Sequence, residues 1–301
     1  MVNMIRVTPT GLTVSVSGPT VYLDNCGLYD LAESDASRRR RFVNAVHSGI
    51  DLLFSVTNAA ELSGPQGRSA AVVRDFLDEI GPHWFPVRLD ATEIVRREMA
   101  GENPGEACID KNFFTAYAAD LIRPYSVGSG RVLNLSEGFF SLGPLMERLS
   151  RQRDSISRSS AEFDDVVKEK MIAIRDKCRR DPSFLSQKLP VLSFDPARPA
   201  FFVYRNLLRV MALEADSLKK GDGMDFFHAV VACAFGVFAV LDTKWARRAR
   251  SLPANRLARV YSPVELDHLV VDMEALLSQP AADPPLVSRS RRAVARPNAH
   301  V

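Results

Sequence analysis

The sequence predicts an α/β fold. Three observations carry that expectation: short apolar runs that suit buried strands, amphipathic helical patterns between them, and acids at or just past the ends of the runs. The chain has 301 residues, 46% hydrophobic and 25% charged, enough to bury a core in one large domain or two modest ones.

The elements follow in order. Leu12, Val14 and Val16 alternate with Thr13 and Ser15, the period of a half-buried strand. Gly18-Pro19 breaks it, and Val21-Tyr22-Leu23 forms an apolar run ending at Asp24. An Arg-rich stretch from Glu33 to Arg41, with Arg38–Arg41 read as exposed at a helix start, leads into a helical pattern of Phe42, Val46 and Ile50. Leu52 to Val56 reads as a second buried strand, followed by Thr57-Asn58-Ala59-Ala60-Glu61. Ser69 to Ile80 is an amphipathic helix, with Val72, Val73, Phe76, Leu77 and Ile80 on one side. Asp90 to Ala100 is another, with Asp90 as its N-cap.

Residues 101–196 read as a mainly helical insertion. They contain Gly and Pro breaks, a turn at Gly128-Ser-Gly130, and one long charged helical stretch. Leu145, Leu149, Ile156, Phe163, Val166, Val167, Met171 and Ile174 give that stretch a partial apolar stripe. Basic residues from Arg148 to Arg180 alternate with seven acids between Asp154 and Asp181. The ordinary reading is a solvated helix face with i,i+4 pairs; the alternative is an extended nucleic-acid or partner surface.

After Pro199 the α/β rhythm returns. Phe201 to Leu218 reads as a helix ended by Lys219-Lys220-Gly221, and Asp222-Gly-Met-Asp225 opens the next, which Gly236 stops. Val237 to Leu241 is a buried strand ending at Asp242, followed by a basic helix from Lys244 to Ser251. A last strand falls at Leu257–Tyr261 and a last helix at Pro263–Leu277, with Pro263 in its first turn. The tail, residues 278–301, is rich in Pro, Ser and Arg, and disorder is expected there.

Several classes are disfavoured. The longest apolar run, Ala229 to Leu241, has thirteen residues, against the roughly 20 a membrane span requires. The first twenty residues lack a secretory apolar core. Cys26, Cys108, Cys178 and Cys233 lie far apart without a Cys-x-x-Cys, which argues against a disulfide framework or zinc knuckle. Neither a Gly-x-Ser-x-Gly elbow nor paired-histidine metal spacing is present. A cytoplasmic protein without membrane attachment is expected. The net charge of +3 equals that of the tail, where Arg289, Arg291, Arg292 and Arg296 outweigh Asp283. Any electrostatic footprint must therefore come from local clustering.

Carboxylates stand where apolar segments stop: Asp24, Glu61, Asp222 with Asp225, and Asp242. If the strands are parallel neighbours, their carboxyl ends share one edge and these acids converge there. Taken singly, each is an ordinary turn former or N-cap. Together they would raise one another's pKa unless a cation sits among them. Carboxylate oxygens suit Mg²⁺ or Mn²⁺, and two such ions can activate water and stabilise a phosphodiester's leaving oxygen.

The runs Val-Tyr-Leu-Asp24-Asn, Phe-Ser-Val-Thr57-Asn-Ala-Ala-Glu61, Gly-Asp222-Gly-Met-Asp225-Phe-Phe-His-Ala and Phe-Ala-Val-Leu-Asp242-Thr-Lys resemble the successive acidic motifs of PIN-domain nucleases. The resemblance covers residues 20–100 and 197–275. It implies a three-layer α/β/α domain with a central parallel sheet over 1–100 and 197–277, interrupted by the insertion. It also implies a Mg²⁺- or Mn²⁺-dependent nuclease, acting on RNA rather than DNA, in the manner of many toxins of toxin–antitoxin pairs. Asp24, Glu61, Asp225 and Asp242 would be the catalytic metal ligands, with Asp222 in support. The chain departs from the family pattern where Asn25 directly follows Asp24 and where Leu241, not Thr or Ser, precedes Asp242.

One feature points to nucleic acid independently. Lys244, Arg247, Arg248, Arg250, Arg256 and Arg259 fall within sixteen residues that contain no acid. Such cations at the mouth of an acidic site can hold flanking phosphates; the alternative is a solvated helix surface. Lys244, Arg247, Arg248 and Arg250 are the chosen contacts. Trp245 is read as packing at the helix–sheet seam rather than stacking on a base, and His228 as a packed histidine rather than a ligand. Ser55 and Thr57 are read as serving the backbone. The rival to a nuclease is a PIN-like module that binds without cutting, through a protein partner. An inhibitory or antitoxin-like partner is compatible with the first reading, and the oligomeric state stays open.

Overall fold

In the computed structural model, β3 (Thr20–Leu23), β4 (Asp51–Phe54), β5 (Trp84–Pro86), β6 (Phe238–Val240) and β7 (Arg259–Tyr261) form one five-stranded sheet. Every pairing is parallel, in the order β5-β4-β3-β6-β7. The structure describes residues 4–8, 11–16, 18–62, 68–81, 83–111, 142, 153–214, 217–253, 257–279 and 291–295. Every residue of β3, β4, β5 and β6 is buried. Because neighbouring strand residues point to opposite faces, both faces of the sheet are covered, which is why these strands read as continuous apolar runs.

Helices supply the cover in two groups. The first comprises α1 (Asn25–Ala32), α2 (Ala36–His47), α4 (Arg68–Ile80) and α12 (Leu266–Ser278), the last entered through a 3₁₀ turn at Pro263–Glu265. The Arg38–Arg41 run does not merely face solvent. Arg38 pairs with Asp267 at 2.7 Å and Arg41 with Glu274 at 2.6 Å, both on α12, while Arg39 pairs with Glu79 of α4 at 2.8 Å. The second group comprises α5 (Ala91–Met99), α7 (Arg153–Arg180), α9 (Pro199–Leu213), α10 (Asp222–Phe235) and α11 (Thr243–Arg250). Asp90 caps α5 as expected, accepting the Glu93 N–H at 3.1 Å.

The boundaries of the expected insertion need correcting. Residues just past 100 close onto the sheet edge: α6 (Pro104–Ala107) is followed by a bridge from Ile109 to Val87, and Cys108 and Ile109 are fully buried. Beyond them, α7 packs along α9 and α10, buries Val167 and Met171, and leaves Val166 and Ile172 half exposed. The short α8 (Ser183–Lys188) follows it. Leu145, Leu149 and the Gly128–Gly130 turn lie outside the described residues.

Other elements differ locally. The sequence reading missed α1 because Asn25-Cys26-Gly27 carries little helical signal. The second strand stops at Phe54 because Ser55 turns the chain into α3 (Val56–Leu62), its hydroxyl accepting the Asn58 N–H at 3.0 Å. The α9 helix ends at Leu213, before the anticipated Leu218. Outside the main sheet, β1 (Met4–Thr8), β2 (Gly11–Val16) and β8 (Arg291–Ala295) form an antiparallel sheet in the order β1-β2-β8. Disorder throughout residues 278–301 is thus corrected at 291–295, which pair with β2.

Candidate functional site

The strand order reverses at β3 and β6: β4 lies on the other side of β3, and β7 on the far side of β6. In open parallel sheets the crevice at such a reversal, on the carboxyl edge, is where ligands bind. Asp24 follows β3 directly, and Asp242 lies two residues past β6. Their strands are in register, Leu23 beside Val240, and the Asp24 N–H donates to the Val240 carbonyl at 3.0 Å. Both acids also cap the helix that follows. Asp24 Oδ1 accepts the Asn25 N–H at 2.7 Å, and Asp242 Oδ1 accepts the Trp245 N–H at 2.8 Å. The capping reading and the converging-edge reading of these acids are both correct, because one carboxylate oxygen serves each helix and the other is left over.

Glu61 returns to this edge from the last turn of α3. Asn25 Nδ2 donates to Glu61 Oε2, and Asn25 Oδ1 accepts from Asn58 Nδ2 at 3.2 Å. Asn58 is itself pinned, its Oδ1 taking the Ser55 N–H at 3.1 Å and the Ser55 hydroxyl at 2.7 Å. Burial raises the Glu61 carboxyl above the ordinary range, and Asp24 adds to the rise, while His228 and the Asn25 hydrogen bond oppose it.

Asp225 arrives from the first turn of α10, and its carboxyl is pushed up to about 8. Burial contributes most, followed by the charges of Asp24, Asp242, Asp222 and Glu61. All five acids singled out in the sequence therefore act on one point, although more than two hundred residues separate the first from the last.

The structure assigns other tasks to some of the predicted residues. Asp222 is buried, with Lys244 Nζ at 2.8 and 3.0 Å from its two oxygens and the Lys219 N–H at 2.6 Å, so its carboxylate is already neutralised. Three of the four cations assigned to phosphate are likewise committed within the fold. Lys244 holds Asp222; Arg248 is 1% exposed, paired with Glu214 and stacked 4.4 Å over Trp245; Arg250 pairs with Glu265 and donates to the Val260 carbonyl. An acid-free window in sequence is therefore not an acid-free surface, since the partners come from other segments. Arg247 alone of the four is exposed with no acid partner among the described residues. Arg256 lies outside them, and Arg259 stands 3.7 Å from Asp272. Trp245 is buried against Phe226, as the packing reading expected.

The chemistry of the donor set suits a hard divalent cation: Asp24, Glu61, Asp225 and Asp242 supply carboxylate oxygens, and their mutual repulsion has a cation as its natural remedy. As the side chains stand, no three His, Cys, Asp or Glu residues among the described residues are close enough to hold one ion. Ligation therefore requires the four carboxylates to draw together. Sequence reasoning missed Asn25, Asn58 and Tyr22 as parts of the site. The Ser55-x-x-Asn58 spacing at a strand end was the available signal for Asn58.

No helix among the described residues is long and apolar enough to cross a membrane. Comparison with family models, with curated proteins and with solved structures brings no match.

Proposed function

We propose that the chain is a divalent-metal-dependent nuclease that hydrolyses phosphodiester bonds of RNA in preference to DNA, as its resemblance to PIN-domain nucleases implies. The single observation that carries this reading is Asp225, held at about 8 by burial and by four further acids at the reversal of a parallel sheet. Strongly shifted carboxyls in such a crevice are the mark of a functional site.

Asp24, Glu61, Asp225 and Asp242 would hold Mg²⁺ or Mn²⁺. The chemistry supplied by such an ion is Lewis acidity toward water and phosphodiester oxygens. The protein's part is orientation. Helix capping fixes one oxygen each of Asp24 and Asp242, Asn25 fixes one of Glu61, and Lys244 keeps Asp222 from adding a fifth unpaired charge. Arg247 is the remaining candidate for a flanking phosphate.

Labelled single-stranded RNA and matched DNA, incubated in Mn²⁺ and in EDTA, test the reading against Asp24→Asn and Asp225→Asn. Cleavage that needs the metal and both acids is expected. Intact folding with no cleavage and no Mn²⁺ thermal shift would overturn it.

That outcome would favour the rival, a PIN-like module that binds a protein, inhibitory or otherwise, without cutting. One observation favours the rival: a groove of about 330 Å³ between α7, α9 and α10, lined by Val166, Met171, Ile174, Tyr204, Leu208 and Phe226.

A further inference from the structure

His228 lies one turn after Asp225 on α10 and is 1% exposed. Its Nδ1 is hydrogen-bonded to the Tyr22 hydroxyl. The direction of that bond follows from the neighbouring bonds. Asn58 Oδ1 already accepts from the Ser55 N–H and hydroxyl, and it stands 3.4 Å from the phenol oxygen. A carbonyl oxygen has two lone pairs, so the phenol proton goes to His228 Nδ1. A ring accepting at Nδ1 carries its own proton on Nε2.

That Nε2–H is buried and has no hydrogen-bond partner. An orphaned buried donor is costly, and in a native protein it points to something that completes it. The nearest carboxylate oxygen across the site is Glu61 Oε2, at 4.0 Å. Asn25 Nδ2 already donates to that same oxygen. Two donors, from β3's end and from α10, thus face Oε2 and leave Oε1 to point elsewhere.

We propose that His228 is a positioning residue: with Asn25 it clamps Oε2 of Glu61 when the carboxylates draw together, so that Oε1 is presented to the divalent cation. The inference rests on the metal-site reading above and extends it to a histidine and a tyrosine outside the acidic set. Tyr22 acts one step further back by fixing which ring nitrogen carries the proton.

The test is Mn²⁺ titration of the full chain, followed by the electron paramagnetic resonance of free Mn²⁺, with RNA cleavage measured in parallel. His228→Leu is expected to weaken Mn²⁺ binding at least about tenfold, the usual effect of removing a group that orients a ligand. His228→Gln, whose amide N–H can stand in for Nε2–H, should recover most of that loss. Tyr22→Phe removes one hydroxyl and should show a smaller loss in the same direction. Unchanged Mn²⁺ affinity in both His228→Leu and Tyr22→Phe, whatever their melting temperatures, would make His228 a packing residue and overturn the inference. Should His228→Leu not fold, Tyr22→Phe decides alone. A wild type that binds no Mn²⁺ removes the metal-site reading and this inference with it; a wild type that binds beside indifferent variants removes only the inference.

Discussion

Gly223 stands directly against Asp164: its N–H donates to Asp164 Oδ1 at 2.8 Å, and a Cβ on it would lie 2.7 Å from that same oxygen. Asp164 also accepts the Gly221 N–H at 2.9 Å, so a carboxylate from α7 closes the positive end of the helix that carries Asp225 and His228. The long charged helix therefore anchors the site helix through its buried face.

Gly223→Ala is the sharpest test of that anchorage. The added methyl would also lie 2.8 Å from the Asp164 carbonyl oxygen, so backbone must move. The expected cost is about 1–3 kcal/mol, typical of overpacking, read as a lower melting temperature. Metal-dependent cleavage should fall with it as Asp225 shifts. An unchanged melting temperature would mean that α7 does not hold α10 in solution.

Asp225 predicts an unusual pH dependence for the metal-free protein. Its carboxyl is raised from 3.8 to about 8, so between those values the folded state holds a proton that the unfolded state has lost. Stability from this group is full below the unfolded value and declines as pH rises through about 8. Asp225→Asn removes that decline. In EDTA the variant should match the wild type near pH 4 and exceed it near pH 8 by a few kcal/mol, at roughly 1.4 kcal/mol per unit. Mn²⁺ should reverse the order at the higher pH. Parallel stability curves for the two proteins would show that the acids do not crowd Asp225.

Arg247 and Arg248 are neighbours in sequence with opposite expected phenotypes. Arg248→Met leaves Glu214 without its guanidinium partner and removes the stack on Trp245, at a cost of about 3 kcal/mol. Arg247→Ala should leave the melting temperature within about 0.5 kcal/mol of wild type, as surface changes do. Only the Arg247 variant is expected to weaken RNA binding at unchanged stability, with a shallower salt dependence. Equal destabilisation of both would place Arg247 inside the fold.

The strands of the main sheet illustrate what local pattern conveys. Val21–Leu23, Leu52–Phe54 and Phe238–Val240 were legible because burial on both faces requires continuous apolar runs. Trp84-Phe85-Pro86 was not, since three residues ending in proline carry too little period to register. The acids at the strand ends were legible as a set because a parallel sheet brings carboxyl ends to one edge. The fate of Lys244, Arg248 and Arg250 was not, because their partners Asp222, Glu214 and Glu265 come from other segments of the chain. Tyr22 and His228 were hidden for the same reason: 206 residues separate them, and each alone looks like core.

Glu98 offers a pH effect separable from the site. It is 2% exposed at the end of α5 and receives the Ala200 N–H at 3.1 Å and the Phe201 N–H at 2.8 Å, closing the start of α9. Burial raises its carboxyl to about 7, and the two backbone donors oppose the rise without cancelling it. The folded value lies above the ordinary 4.5, so this group's stabilisation is complete below 4.5 and is lost as pH rises through about 7. Glu98→Gln cannot ionise. Relative to it, the wild type should lose up to about 3 kcal/mol between pH 5 and pH 8, measured by urea unfolding. Mn²⁺ should leave this difference untouched, in contrast to Asp225. A constant difference across the range would mean that Glu98 is ionised throughout and that its two hydrogen bonds outweigh its burial.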